Sequence, residues 1–176
     1  MKKHLLSLCT IICLAISTEA ATLQQMRFHC ANDTLKINEL LKQGIASGLT
    51  DANDIVMKYC ELLMGTEYVA HTLEGEKEML TINIDQLDCT TFVETLYALT
   101  RTTLSGRYSW RDYAQHLESI RYRNGIIKGY ASRLHYISDW IIDNAYRGNL
   151  KEVTQNIPGA KYNVKNIDFM SKNRDK

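Results

Sequence analysis

The sequence lacks the marks of several large functional classes. Lysine and arginine number 21 against 20 aspartates and glutamates, with no basic stripe, so no nucleic-acid or other polyanion partner is expected. No apolar run is long enough to act as a stable transmembrane anchor. No cysteine and histidine spacing of the metal-ligand kind is visible, so neither a metal nor an organic cofactor is expected. Internal repeats, low-complexity tracts and interdomain linkers are absent, and proline occurs once. What is present is an ordinary globular composition, 45% hydrophobic and 23% charged, in a chain of 176 residues. That length accommodates one domain with a real core.

The first twenty residues differ from the rest. Lys2 and Lys3 precede an apolar run from Leu5 to Ile16, and Thr18 and Ala20 place small residues where a signal peptidase reads. The pattern is that of a secretory signal peptide over residues 1–20, cleaved after Ala20 or Ala21, with residues 21–176 forming the mature domain. The expected location is exported, either periplasmic or secreted. No cysteine sits just after the cleavage point, so lipid attachment is not expected. Removal of the signal takes away two lysines and one glutamate and leaves the mature chain neutral. It also takes away Cys9 and Cys13. Cys30, Cys60 and Cys89 remain, an odd number for an oxidising compartment. Two arrangements are open: a Cys30–Cys60 disulfide with Cys89 free, or three free thiols.

The mature chain reads as helix-rich and strand-poor. Asn32 and Asp33 precede a helix carrying Leu35, Ile37, Leu40 and Leu41, which ends between Gly44 and Gly48. Thr50 is the expected cap of a second helix, with Ile55, Val56, Tyr59, Leu62 and Leu63 at helical spacing and Gly65 as its stop. Residues 65–69 enter an extended segment, 74–77 turn, and Leu80 to Ile84 alternates as a strand does. Asp88 caps a broad-faced helix from Cys89 to about Leu104, and Ser109 caps another to about Tyr122. After a turn at Arg123-Asn124-Gly125, Ser138 is the expected cap of a helix through Ala145. Leu150 to Thr154 reads as a short strand and Lys165 to Lys172 as a last helical turn.

Cys89 carries the main chemical signal. A cysteine in the first turn of a helix meets unpaired backbone N–H groups and the positive end of the helix dipole, and both favour a reactive thiolate. The Cys89 N–H can also face a developing oxyanion. A structural cysteine that happens to begin a helix shows the same local features, so these alone do not decide between the two.

Leu87-Asp88-Cys89-Thr90-Thr91-Phe92-Val93-Glu94 resembles the nucleophile motif of the N-acetylmuramoyl-L-alanine amidase-like family, a bacterial branch of the NlpC/P60 superfamily. The resemblance extends to residues 65–69 with Thr72-Leu73-Glu74, to the block from Ser132 to Trp140, and to Ile167-Asp168-Phe169-Met170-Ser171. It spans about Thr50 to Lys176. It implies an α+β, papain-like fold with the nucleophile helix packed on an antiparallel sheet, and peptidoglycan stem peptides or muropeptides as substrates. On that basis Cys89 is the expected nucleophile of an exported cell-wall cysteine amidase that cleaves N-acetylmuramoyl-L-alanine. Glu74, Asp88, Arg133, Asp139 and Trp140 are the candidate substrate-binding residues.

A cysteine nucleophile needs a histidine as base and then acid, oriented by a third polar group. His29 and His116 read as surface residues, His71 as a residue able to line a cleft, and His135, between Arg133 and Asp139, as the best internal candidate. In the resembled family the catalytic histidine lies further on, in a strand block reading roughly His-Val-Gly-Ile. No histidine follows His135 here. The expectation is therefore a helix-rich N-terminal portion of the amidase domain with an incomplete sheet. Its uncovered strand edges would favour association. A catalytically inactive muropeptide-binding module, or pseudoenzyme, is the alternative.

Overall fold

The computed structural model describes residues 26–161 together with 163, 166, 168 and 172. The expected signal peptide lies outside these residues, as does most of the expected helical turn over 165–172. The architecture is a helix-rich α+β arrangement. Strand β1 (Met26–Phe28) leads into helices α1 (Asp33–Ala46) and α2 (Ala52–Leu62). Short strands β2 (Glu67–Tyr68), β3 (Leu80–Ile82) and β4 (Gln86–Leu87) follow, and then the long helix α3 (Cys89–Leu104). Helices α4 (Trp110–Arg121) and α5 (Ile137–Tyr146) complete the main elements. No helix among the described residues is long and apolar enough to cross a membrane.

Helix α3 is the centre of the fold, packed on α1, α2 and α4. Its buried Leu96, Ala98 and Leu99 meet Ile37 and Leu41 of α1, Ile55 and Tyr59 of α2, and Tyr113 and Leu117 of α4 in one core that also takes Leu80 and Ile82. A second, smaller cluster joins Ile120, Leu134 and Trp140. Fully burying side chains of this size stabilises by about 1.5–3 kcal/mol each, so the position of α3 is set by its neighbours on three sides.

The strands correct the expectation of an antiparallel sheet. β1 pairs with β3 and β2 with β4, both in parallel, in two separate two-stranded sheets. α1 and α2 lie between β1 and β3 and provide the long crossover that a parallel pair requires. One antiparallel bridge joins Tyr122 to Arg133. The period-2 reading of the Leu80 segment also fails in detail, because Leu80, Thr81 and Ile82 are all buried. Thr81 tolerates this because its Oγ1 accepts from Arg27 at 2.7 Å and its carbonyl accepts from Arg121 at 2.7 Å.

Three smaller expectations change. Asp51, not Thr50, caps α2, its carboxylate accepting from the N–H groups of Asn53 and Asp54. α5 begins at Ile137, ahead of Ser138, with no side-chain cap. The segment from Leu150 forms a 3-10 turn over Thr154–Asn156, not a strand. Of the two cysteine arrangements left open, the structure has the second: Cys30, Cys60 and Cys89 are free thiols. Cys60 packs against the main core from α2, while Cys30 stands beyond the end of β1 near Asp85, so the Cys30–Cys60 pairing is not formed.

Candidate active site

Cys89 opens α3 and is exposed. The turn before it is fixed locally. Asp88 Oδ1 accepts from the Thr90 N–H at 3.0 Å, the Thr91 N–H at 2.8 Å and the Thr91 hydroxyl at 2.9 Å. Thr91 Oγ1 in return accepts from the Asp88 N–H at 2.8 Å, which closes a capping box. The cap takes up the N–H groups of Thr90 and Thr91 and leaves that of Cys89 outside it.

A cavity of about 310 Å³ lies beside this helix start. It is lined by His71, Thr72, Leu73 and Glu74, by Asp88, Thr90, Thr91 and Glu94 around the helix start, and by Tyr130, Arg133, Leu134 and His135, with Arg121 behind; Cys89 adjoins this lining and is not part of it. Its wall carries several charged side chains. Glu94 and Arg121, both almost wholly buried, form an ion pair with Nε–Oε2 of 2.7 Å, and Arg121 Nη1 donates to the Thr81 carbonyl. Arg133 is buried as well. Its Nη2 donates to Glu74 Oε1 at 2.9 Å, its Nε lies 3.1 Å from Glu78 Oε1 as an ion pair without hydrogen-bond alignment, and its guanidinium stands 5.1 Å over the Tyr130 ring. Glu78 is fixed in turn by the Tyr122 hydroxyl at 2.8 Å. The buried Thr72 Oγ1 has no hydrogen-bond partner among the described residues.

His135 is half-buried against Tyr130, ring centroids 4.2 Å apart. Its Nε2 lies 2.9 Å from the Tyr130 carbonyl. A carbonyl only accepts, so Nε2 carries the hydrogen and Nδ1 is the nitrogen with a free lone pair. Burial holds the imidazole pKa below its ordinary value; the Tyr130 carbonyl opposes this and the Arg133 charge adds to it. The neutral ring is favoured. His71 reaches the same cavity from an exposed position with a left-handed backbone, φ 62°. His116, on α4, also has its pKa lowered by burial but is not among the residues that line this cavity.

The structure thus brings Glu74, Asp88, Arg133 and His135 to one cavity at the foot of the Cys89 helix. It places Asp139 in a bidentate pair with Arg123, apart from the cavity lining, and Trp140 in the small core with Ile120 and Leu134. Glu94, Arg121, Thr72 and Tyr130 are site residues that sequence reasoning passed over. Glu94 offered a signal: it shares a face of α3 with Thr91 and Ala98, and an acid among small, packed residues needs a buried partner.

Fold and cleft together define a helix-rich α+β domain that presents an exposed cysteine at a capped helix start beside a polar cavity. The chain belongs to the N-acetylmuramoyl-L-alanine amidase-like family, whose sequence model matches residues 58–176. It is similar to an N-acetylmuramoyl-L-alanine amidase from Bacteroides uniformis solved at 1.30 Å resolution, with 44% identity and a TM-score of 0.54 over 62% of this chain and 47% of that one. A second Bacteroides uniformis amidase structure matches at 37% identity and TM-score 0.55, covering 79% of this chain and 52% of that one. A Legionella pneumophila protein matches at 25% identity and TM-score 0.56, covering 68% and 40%. The chain therefore spans about half the length of these solved relatives. No curated protein matches it.

Proposed function

We propose that this chain is the nucleophile-bearing part of an exported, papain-like peptidoglycan amidase of the NlpC/P60 type, acting on the bond between N-acetylmuramic acid and L-alanine. The observation that carries the reading is the exposed Cys89 at the capped start of α3, beside the polar cavity. Family membership and the amidase relatives support the reaction class.

In this reading Cys89 Sγ attacks the lactyl carbonyl carbon. The carbonyl electron pair moves onto oxygen, and the Cys89 N–H, left outside the cap by Asp88, is the first-turn donor able to meet it. Collapse of the intermediate expels the L-alanine amine, which takes a proton, and water then hydrolyses the thioester. In the cavity, His135 offers a ring whose pKa burial lowers and a free Nδ1, as a base requires. Arg133 and Glu74 are the proposed substrate-holding pair, with Asp88 in support through the helix start.

A second reading has its own observation. The Nε2 bond and ring contact of His135 with Tyr130 fit a structural role equally well, as in a module that binds muropeptides without cleaving them. One experiment separates the two. The chain is incubated with purified muropeptides, beside Cys89→Ala, and products and binding are followed by mass spectrometry and calorimetry. Turnover abolished by the substitution is the expected result; binding without turnover by folded protein sinks the enzymatic reading for this chain.

A further inference from the structure

A second group of chemically capable side chains lies at the end of β1. His29, Cys30 and Asp85 each offer one donor atom, and the three atoms lie within 4.8 Å of one another. Two of the three residues fall before residue 58, where the family match begins, and Asp85 falls within it.

We propose that His29, Cys30 and Asp85 form a binding site for a divalent cation of the Zn²⁺ class. An imidazole, a thiolate and a carboxylate are the donor types that such a borderline-soft ion takes, and three protein ligands leave one position open. The backbone of each ligand is held. The His29 N–H donates to the Ile82 carbonyl at 3.0 Å, which carries the β1–β3 ladder one residue further. The Cys30 N–H donates to Asp33 Oδ2 at 2.8 Å. The Asp85 N–H donates to Asn83 Oδ1 at 3.1 Å. The three side chains therefore need only side-chain rotation to close on an ion about 2.0–2.3 Å from each donor.

Two neighbours bear on the charge balance. Asp33 is wholly buried, and its Oδ1 has no hydrogen-bond partner among the described residues, so a cation beside Cys30 would meet a second carboxylate behind its ligand. Lys36 Nζ sits 2.5 Å from Asp85 Oδ2. Its ammonium occupies the position of a cation and competes for Asp85, but the side chain is 37% exposed and can swing into water. His29 also lines a cavity of about 360 Å³ with Phe28, Asn83 and Gln86, so this ligand stands at an open surface.

The test uses the untagged chain, stripped of metal and kept reduced, titrated with Co²⁺ and then Zn²⁺. The expected result is one equivalent of Co²⁺ with a thiolate-to-metal charge-transfer band and the intense visible bands of a tetrahedral site, both bleached by Zn²⁺. Cys30→Ser and Asp85→Asn should each weaken Zn²⁺ binding by more than about tenfold. Lys36→Met should tighten it, and Cys89→Ser should leave it unchanged. His29 is exposed, so His29→Ala provides a ligand deletion that leaves the core alone should Cys30→Ser fold poorly. Absence of the charge-transfer band in folded protein overturns the proposal. So does a band that survives loss of Cys30 and disappears with Cys89.

Discussion

Glu94→Ala is the perturbation on which the cleft depends most. The Glu94 and Arg121 side chains are 2% and 3% exposed, and their Nε–Oε2 contact is 2.7 Å. Removing one member of a buried pair costs roughly 3–5 kcal/mol, because the other charge is left without compensation. The two members are not equivalent. Arg121 cannot shed its proton and would keep the Thr81 carbonyl, a neutral partner, whereas a stranded Glu94 can take up a proton and become neutral. Glu94→Ala should therefore sit at the upper end of that range and Arg121→Met at the lower end. With about 2–4 °C per kcal/mol for a chain of this size, Glu94→Ala should lower Tm by roughly 10 °C or more. Replacing both charges, as Glu94→Leu with Arg121→Met, should recover most of the loss, since an apolar pair of similar volume is close to neutral. Urea unfolding followed by circular dichroism measures all three variants. A Glu94→Ala loss under about 1 kcal/mol, or a double variant no better than the single, would refute the claim that each charge of this α3–α4 pair depends on the other.

Asp88→Ala removes the acceptor for both the Thr90 and Thr91 N–H groups and should destabilise by about 1 kcal/mol, while Asp88→Asn, an equally good cap, should lose far less; equal losses in thermal melts would count against the cap as the cause. His135 has its folded pKa below the ordinary 6.5, so between the two values the unfolded chain binds more protons and stability rises with pH. Its contribution is fully present above about 6.5 and is lost as pH falls through the folded value, so urea midpoints at about pH 5 and 7.5 should differ less in His135→Gln than in the unsubstituted chain. His116 is shifted in the same direction by burial and should leave a residual slope.

The features that could be read in the sequence are those decided within one or two turns of chain. Asp88 and Thr91 cap α3 through groups three residues apart, and Ser109 with Asp112 does the same for α4, so both helix starts follow from local chemistry. Where two caps compete side by side, local reading is less secure: Thr50 and Asp51 are both good candidates, and the carboxylate that reaches two N–H groups is the one used. Pairing of distant segments is a different matter. Nothing in Met26–Phe28 specifies a parallel partner at Leu80–Ile82, because that choice depends on how α1 and α2 carry the chain across. Trp140 shows the same limit. Its neighbours place it on a helix, but only the approach of Ile120 and Leu134 turns it into the small core and away from the cleft.

The same division holds for the two sites. The Cys89 site is legible because the helix start, its cap and the nucleophile are contiguous, whereas Arg133 acquires its meaning only from Glu74 and Glu78, which belong to a loop more than fifty residues earlier. The group at His29 and Cys30 escaped for a sharper reason. Neighbouring residues of a strand point to opposite faces, and that rule argues against two adjacent side chains sharing one ligand. But β1 ends at Phe28, the chain bends through His29 and Cys30, and the alternation stops where the strand does. Both side chains then reach Asp85, which the β1–β3 pairing and the Asn83 turn bring to the same point. A ligand set assembled from a strand end and a turn on its partner has no spacing signature, since the intervening chain can be of any length that returns the second strand to the first.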